Sequence, residues 1–212
     1  MTPGQPRWRR RKDARPAEIV TAALEVFAER GFAAARLDDI AARAGVSKGA
    51  LYLYFETKQE LFEAVVRDTV LPDLDAVEQV ATNLELPFRQ LAPMLAARLA
   101  LLLTTSSLPA VAKMVIAESR NFPDLARVWH DQVVSRALGV LTGVVKAAQA
   151  RGEVRPGDPR FHALSIAGPM LMGVLWREVL EPVGAEPIDL PALAMQHVET
   201  ALVGLLTPEA RA

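Results

Sequence analysis

Residues 31–58, GFAAARLDDIAARAGVSKGALYLYFETK, hold two short amphipathic segments that meet at a tight turn. In the first, Leu37, Ile40, Ala41 and Ala44 fall at i, i+3, i+4 and i+7, one apolar stripe of a helix. Gly45 supplies the permissive backbone of a helix C-terminus, and Val46 returns to the core. Ser47 then stands where an N-cap hydroxyl would accept from a free backbone N–H of a second helix. Leu51 and Phe55, four apart, face inward, which leaves Lys48, Gly49, Ala50, Tyr52 and Tyr54 for an outward surface suited to phosphates and base edges. Helix, glycine turn and helix is the outline of a helix-turn-helix, whose second helix enters the DNA major groove. An ordinary αα-hairpin with solvated charges has the same outline.

The flanks extend the pattern. EIVTAALEVFAERGF, DDIAARAGVSKGALYLYF and TKQELF succeed one another within residues 16–62, and together they closely resemble the N-terminal domain of the tetracycline-repressor (TetR) family. The resemblance covers a three-helix unit and the start of a fourth helix. It implies that Ser47, Lys48, Gly49, Tyr52, Tyr54 and Lys58 sit where family members contact DNA. Two positions depart from it. Arg36 stands where a Ser or Thr usually caps the second helix and touches a phosphate; arginine cannot accept the capping bond but can pair with the phosphate itself. Ala50 replaces a common Thr, leaving at most a methyl contact to thymine. The operator sequence is therefore not readable from the family.

Charge is unevenly spread. Net charge is −1 over 212 residues, yet residues 1–58 hold 11 Lys/Arg against 7 Asp/Glu. A basic head on an acidic body suits phosphate binding, although a chance asymmetry of solvated charges gives the same count. Residues 1–15, with Arg7, Trp8, Arg9, Arg10, Arg11, Lys12 and Arg15 among prolines and glycine, have nothing to pack and read as a disordered basic arm. Such an arm adds phosphate contacts or reaches into the minor groove, or else is a solubilising tail.

The head is bounded by local signals. Pro16 opens the first helix, Ile19, Ala23, Val26 and Phe27 form its inner stripe, and Gly31 ends it. Thr57 with Glu60 has capping-box spacing, and Leu61, Phe62, Val65 and Val66 give the fourth helix its buried face. Lys58 in that first turn conflicts with the helix dipole, a conflict that a bound phosphate, or simple reach into water, would relieve.

The remainder reads as helical: Phe88–Leu103, Ala110–Glu118, a helix from Asn121-Phe122-Pro123-Asp124 to Arg151 stopped by Gly152, another from Asp158-Pro159 to about Leu180, and Leu190–Leu206. Alternating β-branched runs are too few for a sheet, so the fold class is all-α. The expected division is a basic arm over 1–15, a helix-turn-helix domain over 16–62 and a helical ligand-binding and dimerisation body over 63–212. With 51% hydrophobic residues the chain can bury a large core. Without cysteine it has no disulfide, thiolate metal site or cysteine nucleophile. The N-terminus lacks the apolar segment of a secretory signal, and the longest apolar run, Ala163 to Trp176, falls short of the ~20 residues that span a bilayer. A soluble, cytoplasmic protein with no membrane partner is expected.

Catalytic patterns are missing. His130, His162 and His197 are isolated, and the sequence has no HExxH, no G-x-S-x-G elbow and no phosphate-cradling glycine loop. Neither an enzyme nor a cofactor is expected. Binding is better supported. Met114, Phe122, Trp129, Met170, Met172 and Trp176 offer adaptable apolar surface, with Glu118, Arg120, His130 and Arg177 as polar anchors, the make-up of an interhelical ligand pocket and equally of plain core. The family resemblance implies an inducer pocket in this body and a four-helix dimer interface from its last two long helices. Leu164, Gly168, Val198, Leu202 and Leu205 are the candidates for that interface, since small residues permit close packing and the leucines recur at near-helical spacing. The whole is consistent with a dimeric repressor that leaves a palindromic operator when a small apolar or amphipathic molecule binds. A helical small-molecule-binding protein without specific DNA binding, and a ligand-independent DNA-binding protein, remain the alternatives.

Overall fold

A computed structural model describes residues 15–82 and 85–211, and within these the chain is helical, with one isolated antiparallel bridge between Val154 and Leu206. The basic arm lies outside the described residues except for Arg15, the first residue of α1. The chain divides into two compact units between Asp68 and Thr69, six residues beyond the place expected from sequence.

The first unit holds α1 (Arg15–Ala34), α2 (Leu37–Arg43), α3 (Lys48–Tyr52) and α4 (Lys58–Val65). Backbone at Gly31 leaves the helical region (φ 75), and one further turn follows before α2. Ile19, Val26, Phe27, Ile40, Leu51, Leu61 and Phe62 are all but inaccessible to solvent. Phe32 links the aromatic part of this core, its ring centroid 5.4 Å from Phe27 and 6.1 Å, edge-on, from Phe62. On the surface Arg43 at the end of α2 bridges Glu25 (3.1 Å) and Glu29 (2.7 Å) of α1, and its guanidinium holds the Glu29 carboxyl below the usual range.

A π-helical turn, Val66–Val70, leads into the second unit. There α5 (Leu71–Ala81), α6 (Phe88–Thr105), α7 (Leu108–Glu118) and α8 (Pro123–Trp129) are followed by a second π turn, His130–Val134, and α9 (Ser135–Ala150). Next come α10 (Pro159–Leu175) with a third π turn, Trp176–Leu180, then α11 (Leu190–Leu205) and the short α12 (Pro208–Arg211). Asp158 caps α10 by accepting from the Arg160 N–H, and Asp189 caps α11 by accepting from the Ala192 N–H. α11 packs along α6 and α10. One core cluster joins Phe88, Leu91 and Leu95 of α6 to Val144, Val145 and Ala148 of α9 and to Val198 and Leu205 of α11. A second joins Leu103, Met170, Val174, Leu190 and Ala194.

Two continuous helical runs, Pro123–Ala150 and Pro159–Val183, are long and apolar enough to cross a membrane by length and composition. Both are longer than the longest unbroken apolar run, Ala163 to Trp176. The π turns extend each helix past the polar residues that end such a run, and the mean hydropathy over 18 residues stays high. Only 22% of each apolar window is buried inside the chain.

Candidate nucleic-acid interface and effector pocket

The helix-turn-helix is built by two caps in succession. Gly45, at φ 65, follows the end of α2, and the Val46 N–H donates to Ala41 O (3.0 Å) while the Gly45 N–H donates to Ala42 O (3.2 Å). This pair of bonds is a Schellman motif, and it requires the left-handed residue that glycine provides. Ser47 then caps α3, its Oγ accepting from the Ala50 N–H at 3.2 Å. Leu51 and Phe55 are buried, as their spacing predicts, and α3 is anchored through them.

The outward face of α3 carries Lys48, Gly49, Tyr52 and Tyr54, all exposed, with Ala50 half-buried between them. Leu53, absent from the sequence-based set, is 83% exposed at the end of α3. Its position, one residue from each tyrosine and off the stripe of Leu51 and Phe55, was the available signal. The space around Gly49 is open, so no protein atom requires a glycine there. Arg36 occupies the N-cap position of α2 with no capping bond from its side chain, and it is exposed.

Lys58, where the family resemblance implies a DNA contact, is held from within the first unit. Its ammonium donates to the carbonyls of Phe32, Ala33 and Ala35 and lies 4.5 Å from the Phe32 ring centroid. The negative end of the extra turn after Gly31 therefore resolves, within the protein, the conflict between a lysine and a helix N-terminus. Thr57 Oγ1 accepts from the Glu60 N–H (3.1 Å), and the Glu60 carboxylate reaches back to the Glu56 N–H (2.8 Å).

In the second unit an open pocket of about 570 Å³, almost wholly apolar, lies between α10, the segment after it and the start of α11. Met172 and Trp176 of the predicted ligand set line it, together with Gly168, Pro169, Gly173, Ile188 and Leu193. The Trp176 indole is fixed by donating to Glu186 O at 2.9 Å. A Cβ on Gly173 would come 2.6 Å from Leu190 Cδ2 and 3.1 Å from Leu193 Cδ2, so a larger residue there would have to displace these leucine side chains. The other predicted ligand residues are not in this lining. Met114 is buried in α7, Glu118 and Trp129 are half-buried, and Phe122 occupies the N-cap position of α8. His130 is exposed, with Nδ1 2.7 Å from Asp131 and Nε2 3.3 Å from Ser135 Oγ, and so faces water and its own helix. Arg177 lies beside Glu178, which also pairs with Lys113 of α7 at 3.3 Å.

The five interface candidates separate. Leu164 and Gly168 are exposed on α10. Val198 (4% exposed) and Leu205 are core of the chain itself, with Leu202 packed against them. The three share one stripe of α11, and that stripe faces α6 and α9. The exposed apolar side of α11 carries Met195 and Val203 instead, and α10 adds Phe161, Leu171 and Met172.

Residues 19–65 match the signature described as bacterial regulatory proteins of the tetR family, and residues 90–202 match the C-terminal domain of AefR-like transcriptional repressors. The HTH-type transcriptional repressor BepR of Brucella suis is 30% identical over 206 residues, covering 94% of this chain and 97% of that protein. The fatty acid metabolism regulator protein of Bacillus subtilis is 25% identical over 190 residues, 89% of this chain and 94% of its own length. A solved TetR-family regulator from Mesorhizobium loti superposes with a TM-score of 0.76 at 26% identity, over 93% of this chain and 99% of that one.

Proposed function

Since the chain belongs to the TetR family of bacterial transcriptional regulators, we propose that it is a homodimeric repressor, acting in the cytoplasm on a palindromic operator and released from it by an apolar or amphipathic small molecule. The observation that carries this reading is α3 itself: a capped, core-anchored helix whose open face presents Lys48, Gly49, Tyr52, Leu53 and Tyr54. Arg36 and the Ser47 end of α3 take phosphates, and the remaining α3 side chains, Lys48 among them, read base edges. Lys58 supports this surface from behind.

Dimerisation is assigned to the exposed apolar faces of α10 and α11, with Phe161, Leu164, Leu171, Met195 and Val203. Covering them takes out of water one of the two helical runs apolar enough for a bilayer, Pro159–Val183. Two copies present α3 twice, about 34 Å apart, to successive major grooves. For the effector, the solved FadR of Bacillus subtilis holds stearoyl-CoA, which carries a long apolar acyl chain, SmeT has been solved with the largely apolar triclosan, and the second unit here offers an apolar pocket at Met172 and Trp176. A ligand that prefers the conformer unable to hold the operator weakens DNA binding by a coupling of about 1–3 kcal/mol. The relatives are regulators, and no catalytic role is proposed.

The test is fluorescence anisotropy of the full chain on a duplex that it selects from a random-sequence pool, against a scrambled duplex, at two salt concentrations. Preferential binding that survives moderate salt, and its loss on adding stearoyl-CoA or triclosan, supports the reading. Equal, salt-labile binding to both duplexes overturns it.

A further inference from the structure

Asp38, in the first turn of α2, and Lys48, which opens α3, meet across the turn: the Lys48 ammonium lies 2.8 Å from Oδ1 and 2.9 Å from Oδ2 of Asp38. Both side chains are well exposed, at 60% and 59%. The same ammonium sits 5.9 Å from the centroid of the Tyr52 ring, one turn along α3. The neighbouring carboxylate behaves differently, since Asp39 is drawn back to Arg30 of α1 at 2.6 Å. Two adjacent acids on one helix are thus split, one serving the junction of α1 and α2 and the other turned to the reading helix. An exposed pair of this kind contributes little to stability, so its place on the DNA-facing side calls for another account.

We propose that Asp38 is a positioning residue that sets the specificity of DNA reading by restraining Lys48. The inference rests on α3 being the DNA-reading helix. A lysine alone is a mobile point charge that takes phosphate from any sequence. With a carboxylate on its ammonium, most of the charge seen by a distant phosphate is cancelled, and Asp38 repels the phosphates that come close. One N–H remains available to a directional acceptor at short range, such as guanine O6 or N7. The pair thereby subtracts affinity that is indifferent to sequence and retains affinity that depends on it. The open space at Gly49 lets a DNA strand approach this pair closely.

The experiment uses the full chain and a duplex selected by the wild-type protein from a random-sequence pool, with a scrambled duplex as reference, titrated at several salt concentrations. Asp38→Asn, Lys48→Met and the double variant are compared with wild type. Asp38→Asn is expected to bind the scrambled duplex about fivefold more tightly, the effect of one unit charge at contact distance in water. Binding to the selected duplex should change less, and the salt slope should steepen by about one. Most of this loss of discrimination should vanish in the Lys48→Met background. Asp38→Ser serves if the asparagine variant melts at lower temperature. An unchanged ratio of selected to scrambled binding, or a change that persists in full without Lys48, overturns the proposal alone. A wild-type protein that enriches no sequence overturns the DNA reading itself, and the proposal with it.

Discussion

Lys58, which the family resemblance sets among the DNA contacts, serves as a structural latch within the chain. Its conflict with the α4 dipole leaves a phosphate or water as the partners that can be read from the sequence. Its acceptors are instead carbonyls 23 to 26 residues earlier in the chain, which no local pattern announces. Replacing it with methionine is expected to destabilise the first unit by about 1.5–3 kcal/mol, the value of hydrogen bonds made by a charged group. Urea denaturation should record that loss while the salt slope of DNA binding stays as it was. Gly45 was legible in full, because a Schellman motif is local. Gly45→Ala meets no neighbouring atom and should cost only the left-handed backbone, about 1–2 kcal/mol by the same denaturation. The outward α3 residues were equally readable from the positions of Leu51 and Phe55, whereas Asp38 was not, since nothing in its spacing reveals that Lys48 is across the turn.

Helix ends with side-chain caps were the readable part of the architecture: Ser47, Thr57 and Asp158 all accept the bonds their positions imply. The π turns were not, because each keeps the helical period on either side and sits among polar residues, where a slip in phase leaves no mark on the apolar stripe. Also hidden was Glu153, whose carboxylate accepts from the Phe88 N–H at the start of α6 (2.6 Å) and from Arg151 Nε (2.6 Å). The Arg151 guanidinium holds its pKa below the ordinary value of 4.5 against partial burial, with the Phe88 N–H adding to the effect. A depressed carboxylate pKa contributes stability above the unfolded value and loses it as pH falls through the folded one. Glu153→Gln should therefore lower stability by about 1.5 kcal/mol at neutral pH. Thermal unfolding at successive pH values should show the gap between variant and wild type closing as the pH drops below 4.5.

At the scale of the molecule, the apolar period of α11 was evident, but a period does not say whether a stripe faces its own core or another chain. Val198 and Leu205 face the core, and the surface left over is that of Leu164, Leu171 and Val203. Leu164→Glu is expected to halve the mass seen by sedimentation and to weaken operator binding roughly tenfold or more, as loss of a central interface anchor does. Val198→Ala should leave the mass alone and cost about 2 kcal/mol of stability as a core truncation. If both variants change mass, the interface uses the inner stripe as well.

The π turn at His130–Val134 holds one residue more than α-helical winding would over the same stretch. A relative that winds continuously there should align with this chain through a single-residue gap inside residues 130–134. Moving that gap to the nearest loop would assign every side chain of α8 to a position about 100° around the helix from its own. Homology inferred across this segment is then sound only when the insertion is left within the helix.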